Sequence, residues 1–347
     1  MSSLTGSRTE EYFVKLLDKN DQEIRVLKTS KGGTLNFDRT VEIQSGGKLT
    51  VYGEEGISWA NHRVQPWIKV SDEEPRPLGV FLATAPTGME GTGPLYSALE
   101  LHDKTIILDR DKLDSYYTVP KNANVVDSII SLIESTGQSA IDATASSSVM
   151  NEMLVFEPGT RKLEAVNTLL TYINYEKLWV NEHGRYQVRP DILSTDRPLA
   201  RTFQRGKTAI HKGRWERDMD ISSLYNKVVL VTSGSGEFDA LIGTSVLEPS
   251  HKYSYETTGN WVTYFESGIE AETPAVIKEL ARRKLVELTQ VTSTIDIEHL
   301  MVPLNLGDLV RLVSHNIDSR FVVERMSMTL TPGSLCQATW REVVQTV

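Results

Sequence analysis

Cysteine is nearly missing from this sequence. Its 347 residues include one, Cys336, which excludes an internal disulfide framework and any cysteine-cluster zinc site. Beside the apolar Leu335, that thiol reads as a small buried hydrophobe rather than a nucleophile. Long apolar runs are missing too. Nothing approaches the ~18 consecutive apolar residues of a membrane span. The start, Met1-Ser2-Ser3-Leu4-Thr5-Gly6-Ser7-Arg8, has no basic stretch leading into an apolar one, as an export signal would. The expectation is a chain made in the cytosol that stays soluble or assembles there into something larger. Positive charge is not in excess: 37 Lys and Arg face 46 Asp and Glu, a net −9. No global attraction therefore draws the chain to nucleic-acid phosphates.

What is present is a globular composition. It is 39% hydrophobic and 24% charged, with 6 Trp, 12 Tyr and 8 Phe, too apolar and too aromatic for a disordered chain. At ~150 residues per domain the length corresponds to roughly two domains.

The region 1–120 alternates with period two. Tyr12–Leu17 and Glu23–Leu27 flank the polar turn Asp18-Lys19-Asn20-Asp21, the pattern of a hairpin. Further strands are expected at Thr34–Phe37, Thr40–Ile43, Lys48–Tyr52, Trp67–Val70, Leu78–Leu82 and Tyr96–Leu101, with Gly46-Gly47 separating the second and third of these. Alternation buries one face of each strand, and many short strands between turns point to a sandwich or barrel. The period then changes. Val126, Ile129, Ile130 and Ile133 share a helical face before Gly137, and Leu163, Val166, Leu169 and Leu170 do so in a helix from Lys162 to Tyr172, with Thr160 as its expected cap. Lys177–Val180 and Tyr186–Val188 read as a hairpin around Asn181–Gly184, and Ser139–Ser148 as a loop. Tyr225–Val231 is an expected strand. The clearest helix runs from Pro274 to Thr289, capped by Thr273, with Ile277, Leu280, Ala281, Lys284, Leu285 and Leu288 on one face. It is expected to brace the last set of strands, Ser293–Leu300, Leu309–Val313, Arg320–Leu330 and Leu335–Val344. That last set echoes the layout of Trp67–Asp103, a hint of two related β-domains.

Chemistry is harder to find. The seven histidines, His62, His102, His183, His211, His251, His299 and His315, include no pair at helical metal-ligand spacing. Asp109/Asp111 and Asp218/Asp220 sit two apart, which on a strand would put two carboxylates on one face, but turns and strand ends collect such pairs for solvation alone. Ser233-Gly234-Ser235-Gly236 follows a strand but lacks the Lys-Ser/Thr ending of a phosphate loop and reads as a turn. Arg197 to Arg217 is locally basic through Arg197, Arg201, Arg205, Lys207, Lys212, Arg214 and Arg217. Without interleaved aromatics for base stacking it reads as a solvated connection, offset by Asp218 and Asp220. No catalytic, cofactor or metal residue is assigned.

Three passages carry a family resemblance. They are Pro77–Leu82 leading through Ser97–Lys104, Leu108–Lys112 and Tyr117–Pro120 to the helix at Val125; Ser223–Val231; and Leu306-Gly307-Asp308-Leu309–Leu312 with Phe321–Arg325. In their order, over about residues 10–345, they resemble the tail hub proteins of bacteriophages. These are baseplate-hub or minor tail proteins related to the hub of contractile tails and to the base of type VI secretion spikes. The resemblance implies a mainly β fold with α+β insertions, its two barrel-like β-domains accompanied by smaller α/β domains. It divides the chain into a first β-barrel over 1–120, an α/β insertion over 121–222, connecting strands and a helix over 223–290, and strands completing a second barrel over 291–347. It implies a homotrimer at the distal end of a virion tail, presenting six β-domains that adapt a sixfold tube to threefold fibres or spikes. Its partners would be a distal tail or tube protein, a tape-measure protein and a fibre or tip protein, with DNA passing through the channel unbound. Neither enzymatic activity nor a cofactor is implied. As the sequence ends at Val347, wall degradation and receptor binding are expected from other chains. Two other readings come from the residues: a carbohydrate- or receptor-binding β-protein, from the six tryptophans, and a metal-dependent hydrolase, from the carboxylate pairs.

Overall fold

The computed structural model describes residues 8–27, 29–52, 56–84, 87–89, 96–218, 224–232, 240–269, 271, 273–290, 293–314 and 316–343. The chain is mainly β. Most strands join one 15-stranded sheet. The hairpin of Glu10–Leu17 and Glu23–Leu27 forms as its turn residues dictate: Asp18 Oδ1 accepts from the backbone N–H of Asn20 and of Gln22, at 2.8 and 2.9 Å. From there the sheet continues through Arg63–Val70, Phe81–Ala83, Tyr96–Asp103, Ser45–Tyr52 and Thr29–Asp38.

It does not stop there. Thr29–Asp38 pairs antiparallel with Ile317–Thr329, Asp38 opposite Arg325 and Thr34 opposite Thr329. The sheet then runs on through Cys336–Val343, Thr294–His299 and Glu216–Asp218. The 13-residue strand Ile317–Thr329 makes the join. One of its edges holds Cys336–Val343. The other holds Leu309–Ser314 along its first half and Thr29–Asp38 along its second. Arg63–Val70, Phe81–Ala83 and Tyr96–Asp103 form an antiparallel meander, as do Leu309–Ser314, Ile317–Thr329 and Cys336–Val343. One buried apolar cluster underlies both, reaching from Leu35, Leu49 and Phe81 to Phe203, Phe321 and Trp340.

Several expectations in the first region need correction. Thr40–Ile43 is a turn, because Asp38 Oδ1 accepts from both the N–H and the hydroxyl of Thr40 and folds the chain back. Gly46-Gly47 lies inside the strand Ser45–Tyr52 rather than between strands. Neighbouring backbones close in there, and a Cβ on Gly47 would sit 2.0 Å from the Thr34 carbonyl oxygen. Leu78–Leu82 splits into Arg76–Pro77 and Phe81–Ala83 around residues 78–80, where Leu78 N–H bonds Pro66 O at 2.8 Å.

A separate unit is inserted in the sequence between the strands Tyr96–Asp103 and Leu199–Gln204. The helix Val125–Glu134 is capped by Asn124, whose side chain accepts from Asp127 N–H at 3.2 Å. It packs on Lys162–Tyr172, burying Val126, Ile129, Ile133, Leu163, Val166, Leu169 and Leu170. Thr160 does not cap the second helix; Arg161 occupies the cap position, and its side chain makes no capping bond. The expected loop 139–148 contributes a strand, Ile141–Ala143, parallel to Tyr186–Val188, which also pairs with Trp179–Val180 as the expected hairpin. The unit opens with the short helix Thr105–Arg110, which no sequence pattern announces.

The third unit is a three-stranded sheet in the order Ile242–Val246, Lys227–Thr232, Thr263–Ile269. The helix Pro274–Gln290 starts as read from sequence, with Val276 N–H bonded to Thr273 Oγ1 at 3.3 Å. It covers this small sheet rather than bracing the last strands: Ile277, Ala281 and Leu285 pack on Val228 and Leu230. Helix and sheet approach so closely that a Cβ on Gly243 would sit 2.4 Å from the Ile277 carbonyl oxygen. Among the described residues, no helix is long and apolar enough to cross a membrane.

Candidate assembly surface

The chemical candidates from sequence are mostly consumed by structure. Asp109 lies in the helix Thr105–Arg110, not on a strand, and pairs with Arg161 at 2.6 Å, while Asp111 pairs with Lys162 at 2.7 Å. The two carboxylates thus serve two different cations. The side chain of Asp218, Asp220, the segment Ser233–Gly236, His315 and the first seven residues lie outside the described residues. No group of three or more potential ligands among the described residues has the geometry of a metal site. Cys336 is fully buried, and burial pushes its thiol up to about 12.

The basic segment is not a free solvated connection. It supplies two strands, Leu199–Gln204 and Glu216–Asp218. Arg197 pairs with Glu176 and donates to Gly307 O at 3.1 Å, Lys212 meets Glu298 at 2.6 Å, and Arg217 pairs with Glu342. Arg205, Lys207 and Arg214 remain exposed.

Two histidines distant in sequence meet here. Residues 210–212 run antiparallel to 298–300, and Phe203 lies 6.1 Å from the His211 ring and 5.4 Å from that of His299. His299 is 1% exposed, and burial pushes it down to about 4.

The inserted unit is fixed to the sheet by a buried polar cluster that sequence reading missed. Lys104, 1% exposed, donates to Asp21 Oδ2 at 2.6 Å and to Gly184 O at 2.8 Å. Asp21 also pairs with Arg63, and Tyr186 donates its hydroxyl to Lys104 O at 2.8 Å. Burial pulls the Lys104 pKa down and Asp21 pulls it back up. Next in the chain, Asp103 is fully enclosed. Burial raises its pKa against bonds from the N–H and hydroxyl groups of Ser45 and Thr105.

Among the described residues, a face stays unpartnered. Successive strand residues point to opposite sides, so the helix Pro274–Gln290 covers only Val228, Leu230 and their row. On the opposite side Ile242 pairs across to Val231, and Val229 lies opposite Phe265. Ile242 is 65% exposed, Phe265 63% and Val246 47%. Lys227, at the end of the same face, lies 5.4 Å from the ring of Trp261, which stacks on Tyr255 at 4.7 Å. Among the described residues both outer strands are sheet edges. Soluble monomers rarely expose a contiguous apolar patch of this kind, and an open edge is a template for further pairing. The sequence did carry a signal: Val228-Val229-Leu230-Val231 is apolar on both faces, whereas a strand with one wet face would alternate. Of the tryptophans, Trp261 is exposed at 45%, Trp340 is buried, and the other four are half-buried.

No protein-family model matches this sequence, and neither does any curated protein. Solved structures do. The fold is similar to that of a tail protein from Neisseria meningitidis MC58, at 15% identity and TM-score 0.67, covering 95% of this chain and 96% of that one. It is similar to the 43 kDa tail protein of prophage MuSo2 from Shewanella oneidensis, at 10% identity and TM-score 0.64, covering 95% and 98%. An E. coli protein described as a type VI secretion component with structural similarity to T4 bacteriophage tail proteins matches at 8% identity and TM-score 0.50, covering 98% and 74%.

Proposed function

We propose that this chain is a structural tail protein which assembles as a homotrimeric hub at the distal end of a phage tail. The observation that carries the reading is the fold, shared end to end with phage tail proteins. The exposed face of Ile242, Val246 and Phe265, with its open strand edges, supports assembly. Burying a large apolar side chain stabilises an interface by ~1.5–3 kcal/mol, and closed cyclic contacts bury such faces on every copy. In this reading residues 1–120 and 291–347 supply most of the two hub β-domains, 121–222 most of the insertion together with the sheet strands Leu199–Gln204 and Glu216–Asp218, and 223–290 the contact element. Three copies then present six β-domains around a channel, adapting a sixfold tube to threefold tip proteins. A net charge of −9 suits a conduit that DNA crosses without adhering. The partners above and below are a distal tail or tube protein, a tape-measure protein and a fibre or tip protein, and the location is the virion tail tip. The role needs no catalytic residue or cofactor.

Size-exclusion chromatography with light scattering tests this directly. The expected result is a trimer at micromolar concentration that Phe265→Glu converts to monomer, its circular dichroism unchanged. A strict monomer that forms no ring with tail-tube protein would overturn the reading.

A further inference from the structure

A threefold ring closes through head-to-tail contacts, so each copy meets its neighbours through two different surfaces. The apolar face of Ile242, Val246 and Phe265 supplies one of them. Exposure locates a candidate for the other. Among the described residues the four most exposed large hydrophobic side chains are Tyr116 at 68%, Met153 and Ile242 at 65%, and Phe265 at 63%. Two of the four belong to the face already described. The other two flank a single pair of strands on the inserted unit.

Those strands are Tyr117–Val119 and Leu154–Phe156, antiparallel, with no other neighbour among the described residues. Their inner row, Tyr117, Val119, Leu154 and Phe156, packs into the unit's own apolar cluster. Alternation therefore turns the cross-strand pair Thr118 and Val155 outward, and both are exposed. Tyr116 and Met153, one residue before each strand, extend that outer row at its two ends. The result is a second apolar face with open edges, backed by a folded core as the first is. Charge distinguishes the two. Lys227 ends the face of Phe265, whereas the exposed Glu157 follows two residues after Val155. Pairing unlike faces can set ammonium against carboxylate, while pairing like faces sets each charge against its own kind.

We propose, resting on the hub reading, that the outer face carrying Tyr116, Met153 and Val155 receives the Ile242, Val246 and Phe265 face of a second copy, and that three such contacts close the ring. The inserted unit is then one side of the contact between subunits and the small helix-covered sheet is the other.

The test uses the full chain. Thr118 and Thr263 are exposed, one on each face, and the single native thiol, Cys336, is buried away from reagent. In the double variant Thr118→Cys/Thr263→Cys a short bismaleimide is expected to join chains into covalent dimers and trimers on a denaturing gel. Each single variant should stay uncrosslinked. Met153→Glu changes an exposed side chain, so circular dichroism should not move while association weakens about tenfold or more in a light-scattering titration. Three results from a chain that does form trimers would overturn the pairing and leave the hub reading standing: no product between chains of the double variant, Thr118→Cys joining itself, or Met153→Glu associating at full strength. A product between Thr263→Cys and Val26→Cys would also overturn it, in favour of the exposed Ile24 and Val26 on the end strand of the large sheet. A strictly monomeric parent chain would overturn both readings at once.

Discussion

Acidification should weaken this fold through His299. The side chain sits at the end of the strand Thr294–His299, its ring 5.4 Å from Phe203 and 5.7 Å from Trp340. Nδ1 lies 2.7 Å from Leu300 O, and since a carbonyl only accepts, that nitrogen carries the proton. Nε2 has no partner among the described residues. Burial pushes the group from its ordinary 6.5 down to about 4. Between those values the unfolded chain takes up a proton that the folded chain refuses, so stability rises with pH there. The contribution is complete above pH 6.5 and is lost as pH falls toward 4. At ~1.4 kcal/mol per unit, the full loss is about 3 kcal/mol, of which about 2 kcal/mol is gone by pH 5. His211, also lowered by burial, adds to the loss, while the buried Asp103, raised by burial, opposes it. A matched variant therefore isolates the term. His299→Gln keeps a donor for Leu300 O and removes the titration. Urea unfolding at pH 7.5, 6 and 5 should show the parent losing about 2 kcal/mol more than the variant by pH 5. Identical pH slopes in the two proteins would refute the reasoning.

Other consequences follow from named contacts. Lys104→Met removes the cation that holds Asp21 and Gly184 O. Breaking a buried pair costs ~3–5 kcal/mol, and with Arg63 still on Asp21 the loss should fall at or below the lower end; limited proteolysis should then cut near residues 104 and 190 sooner, and an unchanged cleavage rate would contradict the brace. On the helix Pro274–Gln290, Ala281 is fully buried and Leu280 only half-buried. Ala281→Asp should therefore collapse soluble yield, while Leu280→Asp is tolerated with a loss of ~1–2 kcal/mol; equal damage from both, measured by thermal melting, would place the helix on a different face.

Local pattern carried far into this structure. The hairpin at Asp18–Asp21, the helices at Val125, Lys162 and Pro274, and every strand after Ser293 were legible because each rests on short-range rules: alternation, a capping side chain, a helical stripe. Failures came where a neighbour distant in sequence decided the outcome. Gly46-Gly47 reads as a break because glycine is poor in strands, yet backbones on both sides leave room for nothing larger. Ile141–Ala143 looks like loop, and becomes a strand only because Tyr186–Val188 lies beside it. The Asp21–Arg63–Lys104 cluster joins three unrelated stretches, and no spacing announces it. The exposed face was half legible in the apolar run at Val228. Its meaning depended on knowing that the helix Pro274–Gln290 covers just one side.

The pairing of Thr29–Asp38 with Ile317–Thr329 bears on the order in which the protein can fold. Ser327 Oγ bonds Asn36 Oδ1 at 2.8 Å although the two residues stand 291 apart in the chain. A nascent chain therefore holds Thr29–Asp38 with one edge unpaired until synthesis has reached Ile317–Thr329. Contacts of such range are slow to form, and an open strand edge invites wrong partners while it waits. The inserted unit and the small helix-covered sheet each have their own apolar cluster, so they can condense during that interval. A chain interrupted before Ile317 keeps that central edge uncovered, so synthesis through Thr329 becomes the condition for closing the large sheet.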